Sequence, residues 1–224
     1  MKRFQLKYLF VYTTPTVILF SLWVANIWSF FALFFIFGLI PLVELFTQGS
    51  TYNLNPQEEE KAKNNMLFDL ILYALVPLQY IILGYFLIQV SNDTLPLYTK
   101  IGLTSAYGLA CGGIGINAAH ELGHRNTWYE QLMSKMLLLS TLYMHFFIEH
   151  NRGHHKHVST DQDPASSRYN EVIYAFFLRS ILGGWKSACR LEEKKLNLQK
   201  KRVWSWHNEM LRFQIIQVVL ILSV

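Results

Sequence analysis

The chain has 224 residues, a formal net charge of +5 and 52% hydrophobic residues, with the apolar content gathered in long blocks; this excludes a soluble two-domain protein and predicts several membrane crossings. Its two cysteines, Cys111 and Cys189, exclude a disulfide scaffold and a thiolate metal site. The positive excess lies beside membrane segments, in Lys2, Arg3, Lys7 and between Arg152 and Arg202, which favours a role in membrane orientation over nucleic-acid binding.

The basic start and the apolar run after it lack a small-residue cleavage site, so they read as a retained first span and not as a signal peptide. Apolar runs predict four full spans, at Tyr8 to Ala25, Ile27 to Phe46, Leu67 to Val90 and Ile101 to Ala119, each near the roughly 20 residues that cross hydrocarbon as helix. Trp23, Trp28 and Tyr98 fall near the turnarounds, where amphipathic rings favour the interface. Pro15, Pro41 and Pro77 are expected to bend or end helices locally. The Phe30 to Phe37 cluster faces lipid, neighbouring helices or an apolar substrate tunnel, and Glu58 to Lys61 reads as a solvated loop or helix start. Cys111-Gly112-Gly113-Ile114-Gly115 gives the fourth span a smooth face suited to close helix packing.

With the N-terminus inside, four crossings return the chain to the cytoplasmic face at His120. The run from Lys135 to Glu149 covers only about 20 Å as helix, so Met136 to Ile148 is expected to form a buried or re-entrant helix that returns to the same face. A cytoplasmic cap follows over about 120–208, with an amphipathic patch around Val172 to Trp185 suited to the membrane surface. Residues 210–224 make a partial span. The expected organisation is therefore all-α: one polytopic membrane helical bundle over 1–224, incomplete at its C-terminus.

Two histidine clusters interrupt the apolar pattern, His120-Glu121-Leu122-Gly123-His124 and Glu149-His150-Asn151-Arg152-Gly153-His154-His155. Residues four apart share a helix face, so His120 with His124, and His150 with His154, can each chelate an ion, and His155 adds a fifth donor. Crowded neutral imidazoles near low dielectric are costly unless paired or metallated. The five histidines are the predicted ligands; Glu121, Glu149, Asp161 and Asp163 are candidates to orient them by hydrogen bonds. His145 and His207 read as satisfied polar groups. His120-Glu121-x-x-His124 also fits a zinc protease with Glu121 as base, but three further histidines exceed what a catalytic zinc needs, and His-rich sites open to oxygen suit iron. A non-enzymatic metal carrier is a further alternative.

At these residues the chain resembles the integral-membrane alkane 1-monooxygenases, relatives of the membrane fatty-acid desaturases and hydroxylases, with patterns H-E-L-x-H-K/R and E-H-x-x-G-H-H. The likeness continues through Asp163-Pro164-Ala165-Ser166-Ser167-Arg168, Val203-Trp204-Ser205, Asn208-Glu209, Pro41-Leu42-Val43-Glu44 and Asn55-Pro56. The resemblance implies two iron ions in a non-haem di-iron centre that uses O2 to hydroxylate terminal C–H bonds of medium-chain alkanes or related apolar chains. It further implies electrons from rubredoxin and an NAD(P)H-dependent rubredoxin reductase, and a multi-pass protein of the cytoplasmic (inner) membrane with its metal site on the cytoplasmic side; the basic cap suits an acidic carrier. A fatty-acyl lipid desaturase or hydroxylase is the related alternative, although His150 to His154 leaves three residues between where desaturases typically have two. Three departures stand against the family pattern: no H-x-x-H-H element follows His157, Glu44 stands where Asp is frequent, and the second acidic residue of that loop is not evident.

Overall fold

The computed structural model describes residues 7–47, 49, 53–63 and 65–224, and all regular structure among them is helical. Lys2 and Arg3, which support the inside orientation of the N-terminus, lie outside the described residues. The chain divides into two compact units, Met1–Ala118 and Ala119–Val224.

In the first unit, α1 (Lys7–Val24), α2 (Ile27–Phe46) and, after the short α3 (Pro56–Lys63), α4 (Met66–Val90) are long and apolar enough to cross a membrane. The chain is a membrane protein. The fourth predicted span takes a less regular form, in which α5 (Leu97–Ala110) runs 14 residues before a π-turn, Cys111–Ile116, and α6 (Asn117–Gly123). Alone, α5 rises about 21 Å, short of the hydrocarbon thickness.

Small residues on α5 allow close packing. Thr99, Gly102, Leu103, Ala106 and Ala110 form its buried face, and a Cβ added at Gly102 would lie 2.0 Å from Ser29 Oγ at the start of α2. Any larger residue at 102 would drive the two helices apart. The hydroxyl of Ser21 on α1 accepts the Ala32 N–H of α2 at 2.9 Å, and Tyr12 donates to the Ile71 carbonyl of α4 at 2.8 Å. Among the described residues close packing does not extend to Gly112 and Gly113, where an added Cβ meets no neighbouring atom within 4 Å; these residues lie in the π-turn.

The prolines act differently from one another. Pro15 sits in the first turn of the α-helical part of α1, where no N–H is missed. A π-turn, Phe35–Leu39, precedes Pro41, whose ring cannot accept an ordinary helical neighbour four residues back. Pro77 lies inside α4 without ending it. The acidic run resolves as helix α3, with a reciprocal cap in which Glu58 N–H donates to Asn55 Oδ1 at 2.9 Å and Asn55 N–H donates to Glu58 Oε2 at 3.1 Å.

The second unit holds the end of α6, then α7 (Trp128–Ser140), α8 (His145–Glu149, continuing through a π-turn His150–His154 and His155–His157), α9 (Ile173–Leu198) and α10 (Glu209–Ser223). The single re-entrant helix predicted over Met136 to Ile148 is two helices. Leu142 adopts φ 54°, the Tyr143 N–H returns to the Leu138 carbonyl at 2.9 Å and the Leu142 N–H to that of Leu139 at 3.0 Å, a Schellman stop that lets α8 leave in a new direction. The core of this unit is built from Leu122, Leu137, Leu138, Ile148, Ala188 and Leu196, all at 0% exposure.

Candidate metal centre

Two helical segments bring the imidazoles together. His120 on α6 and His124, the residue just past its end, are four positions apart with ring centroids 4.7 Å from each other. Ser134 on α7 holds the base of α6 by donating to the Ala119 carbonyl at 2.6 Å. Following α8, His150 presents Nε2 at 3.1 Å from His124 Nε2 and 3.1 Å from His155 Nε2, and the His124 and His155 Nε2 atoms are 3.3 Å apart. With His120, whose ring lies 4.4 Å from that of His150, these residues form a group of potential ligand atoms within 4.8 Å of one another.

The predicted chelate of His150 with His154 is not the one the structure brings together. In a regular α-helix position i+5 lies about 140° away from position i, but the π-turn at His150–His154 widens the helix and returns His155 over His150. His154 points instead to a carboxylate, with its Nδ1 lying 2.9 Å from Asp163 Oδ2, and its ring stacks at 5.2 Å on that of His150.

Electrostatics keep this cluster ready for a cation. Burial, and then the neighbouring imidazoles His120, His155, His124 and His154, push His150 down to about 3, so it is neutral and its lone pair is free near neutral pH. Burial followed by His120 and His155 also lowers His124. For Asp163, burial alone would raise the carboxyl, but hydrogen bonds from the Ser166 hydroxyl, the Ala165 N–H and His154 hold it below its ordinary value. An ionised Asp163 accepts, so Nδ1 of His154 donates to it and Nε2 is the nitrogen left to face a cation.

The donor set fits a metal ion. Imidazole nitrogens sit roughly 2.0–2.1 Å from a bound first-row ion such as zinc, which sets neighbouring donors about 2.8–3.0 Å apart at right angles and about 3.3–3.4 Å apart at tetrahedral angles. The three Nε2 separations, 3.1, 3.1 and 3.3 Å, lie between these limits. Three nitrogens in a triangle cannot all be satisfied by hydrogen bonds to one another, whereas one cation satisfies all three lone pairs.

A family model described as Fatty acid desaturase matches residues 94–224, a stretch that contains both histidine clusters. The chain belongs to the fatty acid desaturase family. This desaturase-family chain is 38% identical over 197 residues to Alkane 1-monooxygenase 1 of Alcanivorax borkumensis, covering 87% of this chain and 48% of that relative. It is 35% identical over 223 residues to the Alkane 1-monooxygenase of Pseudomonas putida and to that of Ectopseudomonas oleovorans, covering 96% of this chain and 55% of each. The chain thus spans about half the length of the curated relatives it matches.

Within this desaturase-family site the predicted acidic residues separate. Asp163, 1% exposed, meets His154. Glu121 is exposed and pairs with Arg125 at 3.2 Å. Asp161 is exposed and lines a cavity with Gly153 and His157. Glu149 is buried, accepts from Ser187 Oγ at 3.3 Å and is raised by desolvation and then by the Asp163 charge. It also explains the glycine of its motif: a Cβ at Gly153 would stand 2.5 Å from Glu149 Oε1 and 3.1 Å from Leu191 Cδ1.

His145 departs from its predicted role as a satisfied polar group. It is 7% exposed and its Nε2 has no hydrogen-bond partner among the described residues, and burial pushes it down to about 4. His207 is exposed.

Sequence reasoning missed an ionic network beneath the π-turn. Arg152 donates to Glu192 Oε2 at 2.7 Å and to Glu209 Oε2 at 3.0 Å. Lys135 reaches Glu209 Oε1 at 2.8 Å and Lys195 reaches Glu192 Oε1 at 3.0 Å. The available signal was Glu192 itself, which continues the row Gly184, Ala188, Glu192, Leu196 at four-residue spacing, all buried. A carboxylate in a core row requires a partner.

Proposed function

We propose that the full-length protein is a non-haem di-iron monooxygenase that hydroxylates terminal C–H bonds of medium-chain alkanes or related apolar chains, using O2 and electrons from rubredoxin and its NAD(P)H-dependent reductase. The observation that carries this reading is the triangle of His124, His150 and His155 Nε2 atoms in a desaturase-family chain whose relatives are alkane 1-monooxygenases. The whole chain, in this reading, sits in the cytoplasmic membrane with four spans and its histidines on the cytoplasmic side.

His120, His124, His150 and His155 would hold one iron, and His154 Nε2 is a ligand toward a second, with further ligands from the portion of the relatives' length that this chain does not span. Bound iron supplies the oxidising power that an aliphatic C–H bond demands. The protein supplies position. Phe146 stacks on His150 with centroids 4.7 Å apart and 16° between planes, an apolar wall on one side of an otherwise exposed group of imidazoles, placed to contact a hydrocarbon chain. Asp163 fixes the tautomer and orientation of His154.

The test is metal content by elemental analysis with Mössbauer spectroscopy on the detergent-purified full-length protein, alongside alkane-dependent O2 uptake. Two irons per chain with alkane-stimulated uptake are expected. One zinc without iron would overturn the reading and restore the protease alternative, in which Glu121 acts as base; uptake stimulated by acyl lipids and not by alkanes would favour the desaturase alternative.

Asp163→Asn gives a sharper reading of the second position. The amide keeps the side-chain shape and removes the charge that fixes His154, so affinity at one of the two positions is expected to fall about 10–100-fold. Competition with a chromophoric chelator would show one weakened and one unchanged iron; two unchanged sites would remove His154 from the ligand set.

A further inference from the structure

On α9 the side chains of Tyr174, Phe177, Leu178, Ile181, Leu182 and Trp185 are each at least 42% exposed. At 3.6 residues per turn they fall in an arc of about 140° on one face. The same face is fully buried farther along the helix, at Ala188, Glu192 and Leu196, so the unit covers one half of α9 and leaves the other bare.

Beginning beside the bare arc, Lys186, Arg190 and Lys194 rise at four-residue intervals along the helix. They line a cavity of about 560 Å³ together with Arg168, Arg179 and Asp161. Arg179 is already neutralised by Glu171, with Nε at 2.5 Å and Nη2 at 2.6 Å from its carboxylate. Glu193 borders Arg190 and Lys194 in an adjoining hollow, yet among the described residues no carboxylate forms an ion pair with Lys186, Arg190 or Lys194. Three cations without an ion pair, set against the single Asp161 carboxylate in the same cavity, leave a positive concave space that favours an anion.

We propose that this cavity binds the phosphate headgroup of an anionic membrane lipid, whose acyl chains cover the bare face of α9. The apolar arc decides between ligands, because a free phosphate or an acidic protein surface satisfies the cations and leaves six large apolar side chains in water. An anionic lipid satisfies both halves at once. The site adds a membrane contact on the second unit.

The experiment places a benzophenone amino acid at Leu182 of the full-length protein in vesicles of phosphatidylglycerol and phosphatidylcholine in equal amounts, and identifies the photoadducts by mass spectrometry. The expected result is a preference for phosphatidylglycerol adducts, lost in the triple variant Lys186→Gln, Arg190→Gln, Lys194→Gln and kept in Lys200→Gln, Lys201→Gln. Three charges at the membrane surface correspond to about a hundredfold in affinity. Unchanged elution and circular dichroism of the triple variant would establish that it is folded; if it is not, the single variant Arg190→Gln is read in its place. Equal labelling of both lipids, adducts to another part of this chain or to an added acidic electron carrier, or a preference erased by inorganic phosphate at constant ionic strength would each overturn the assignment.

Discussion

His150→Ala in the full-length protein is expected to remove iron from the position shared with His124 and His155 and to reduce alkane hydroxylation below detection. His150 Nε2 is the common neighbour of the other two, 3.1 Å from each, and its ring also meets His120, His154 and Phe146. Its loss removes one donor and the surface against which the others are packed. The two remaining nitrogens, 3.3 Å apart, still form a chelate, but an open pair binds more weakly and no longer presents a fixed face to substrate. His145→Ala is the matched control: it removes a buried imidazole five residues away whose nitrogen is outside the group of potential ligands, so iron content is expected to persist. Iron analysis and product chromatography on both variants check the pair. Full turnover in His150→Ala would reject the ligand assignment.

How much of this was legible in the sequence depends on the kind of signal. Three spans were readable because lipid imposes length and hydropathy directly, and α1, α2 and α4 follow the predicted apolar runs within a few residues. The clustering of His120, His124 and His150 was also readable, since helical spacing and cost of crowding are local facts. What could not be read was which of His154 and His155 turns toward the cluster. That choice rests on a π-turn, which depends on how Arg152 and Gly153 pack against α9 and not on the spacing of the histidines. The stop at Leu142 was hidden for a similar reason, as leucine at φ 54° contradicts its own preference and is held by the surrounding fold. Asp163 carried a signal only through its motif; that it alone of four acidic candidates meets a histidine follows from the turn at Thr160 to Ser166, where its carboxylate also takes the Ala165 N–H at 2.9 Å.

Arg152→Ala is expected to lower stability by about 3 kcal/mol and to loosen the metal site with it. Removing one partner of a buried ion pair costs roughly 3–5 kcal/mol because the other charge stays behind. Here Glu192 at 0% and Glu209 at 7% exposure stay behind. The lower end applies, since the Arg152 side chain is 35% exposed and Lys195 and Lys135 still reach the two carboxylates. The pH dependence has a definite sign. Burial alone would raise Glu192, but the Glu209 N–H, Lys195 and Arg152 hold it below its ordinary value of 4.5; burial would likewise raise Glu209, and Lys135, Arg152 and Lys195 reverse it. Folded values below unfolded ones mean that this stability is present above about pH 4.5 and is lost as pH falls through the folded values. His145 and His150, depressed to about 4 and about 3, add an acid-side loss of the same sign in the metal-free protein, because the unfolded chain takes up their protons first. Without Arg152 the two carboxylates rise, and the acid limb of stability moves to higher pH. Thermal unfolding in detergent across the acid range measures both effects, and the double variant Arg152→Ala, Glu192→Gln is expected to lose less than the sum of its singles. Because Arg152 lies inside the π-turn between His150 and His155, releasing it lets the turn relax toward regular helix, which carries His155 about 140° away from His150 and lowers iron content even where the chain remains folded. Arg152→Lys keeps one ionic contact and is expected to recover most of the stability but not the full iron content, since an ammonium cannot hold both Glu192 and Glu209 with the planar fork of a guanidinium.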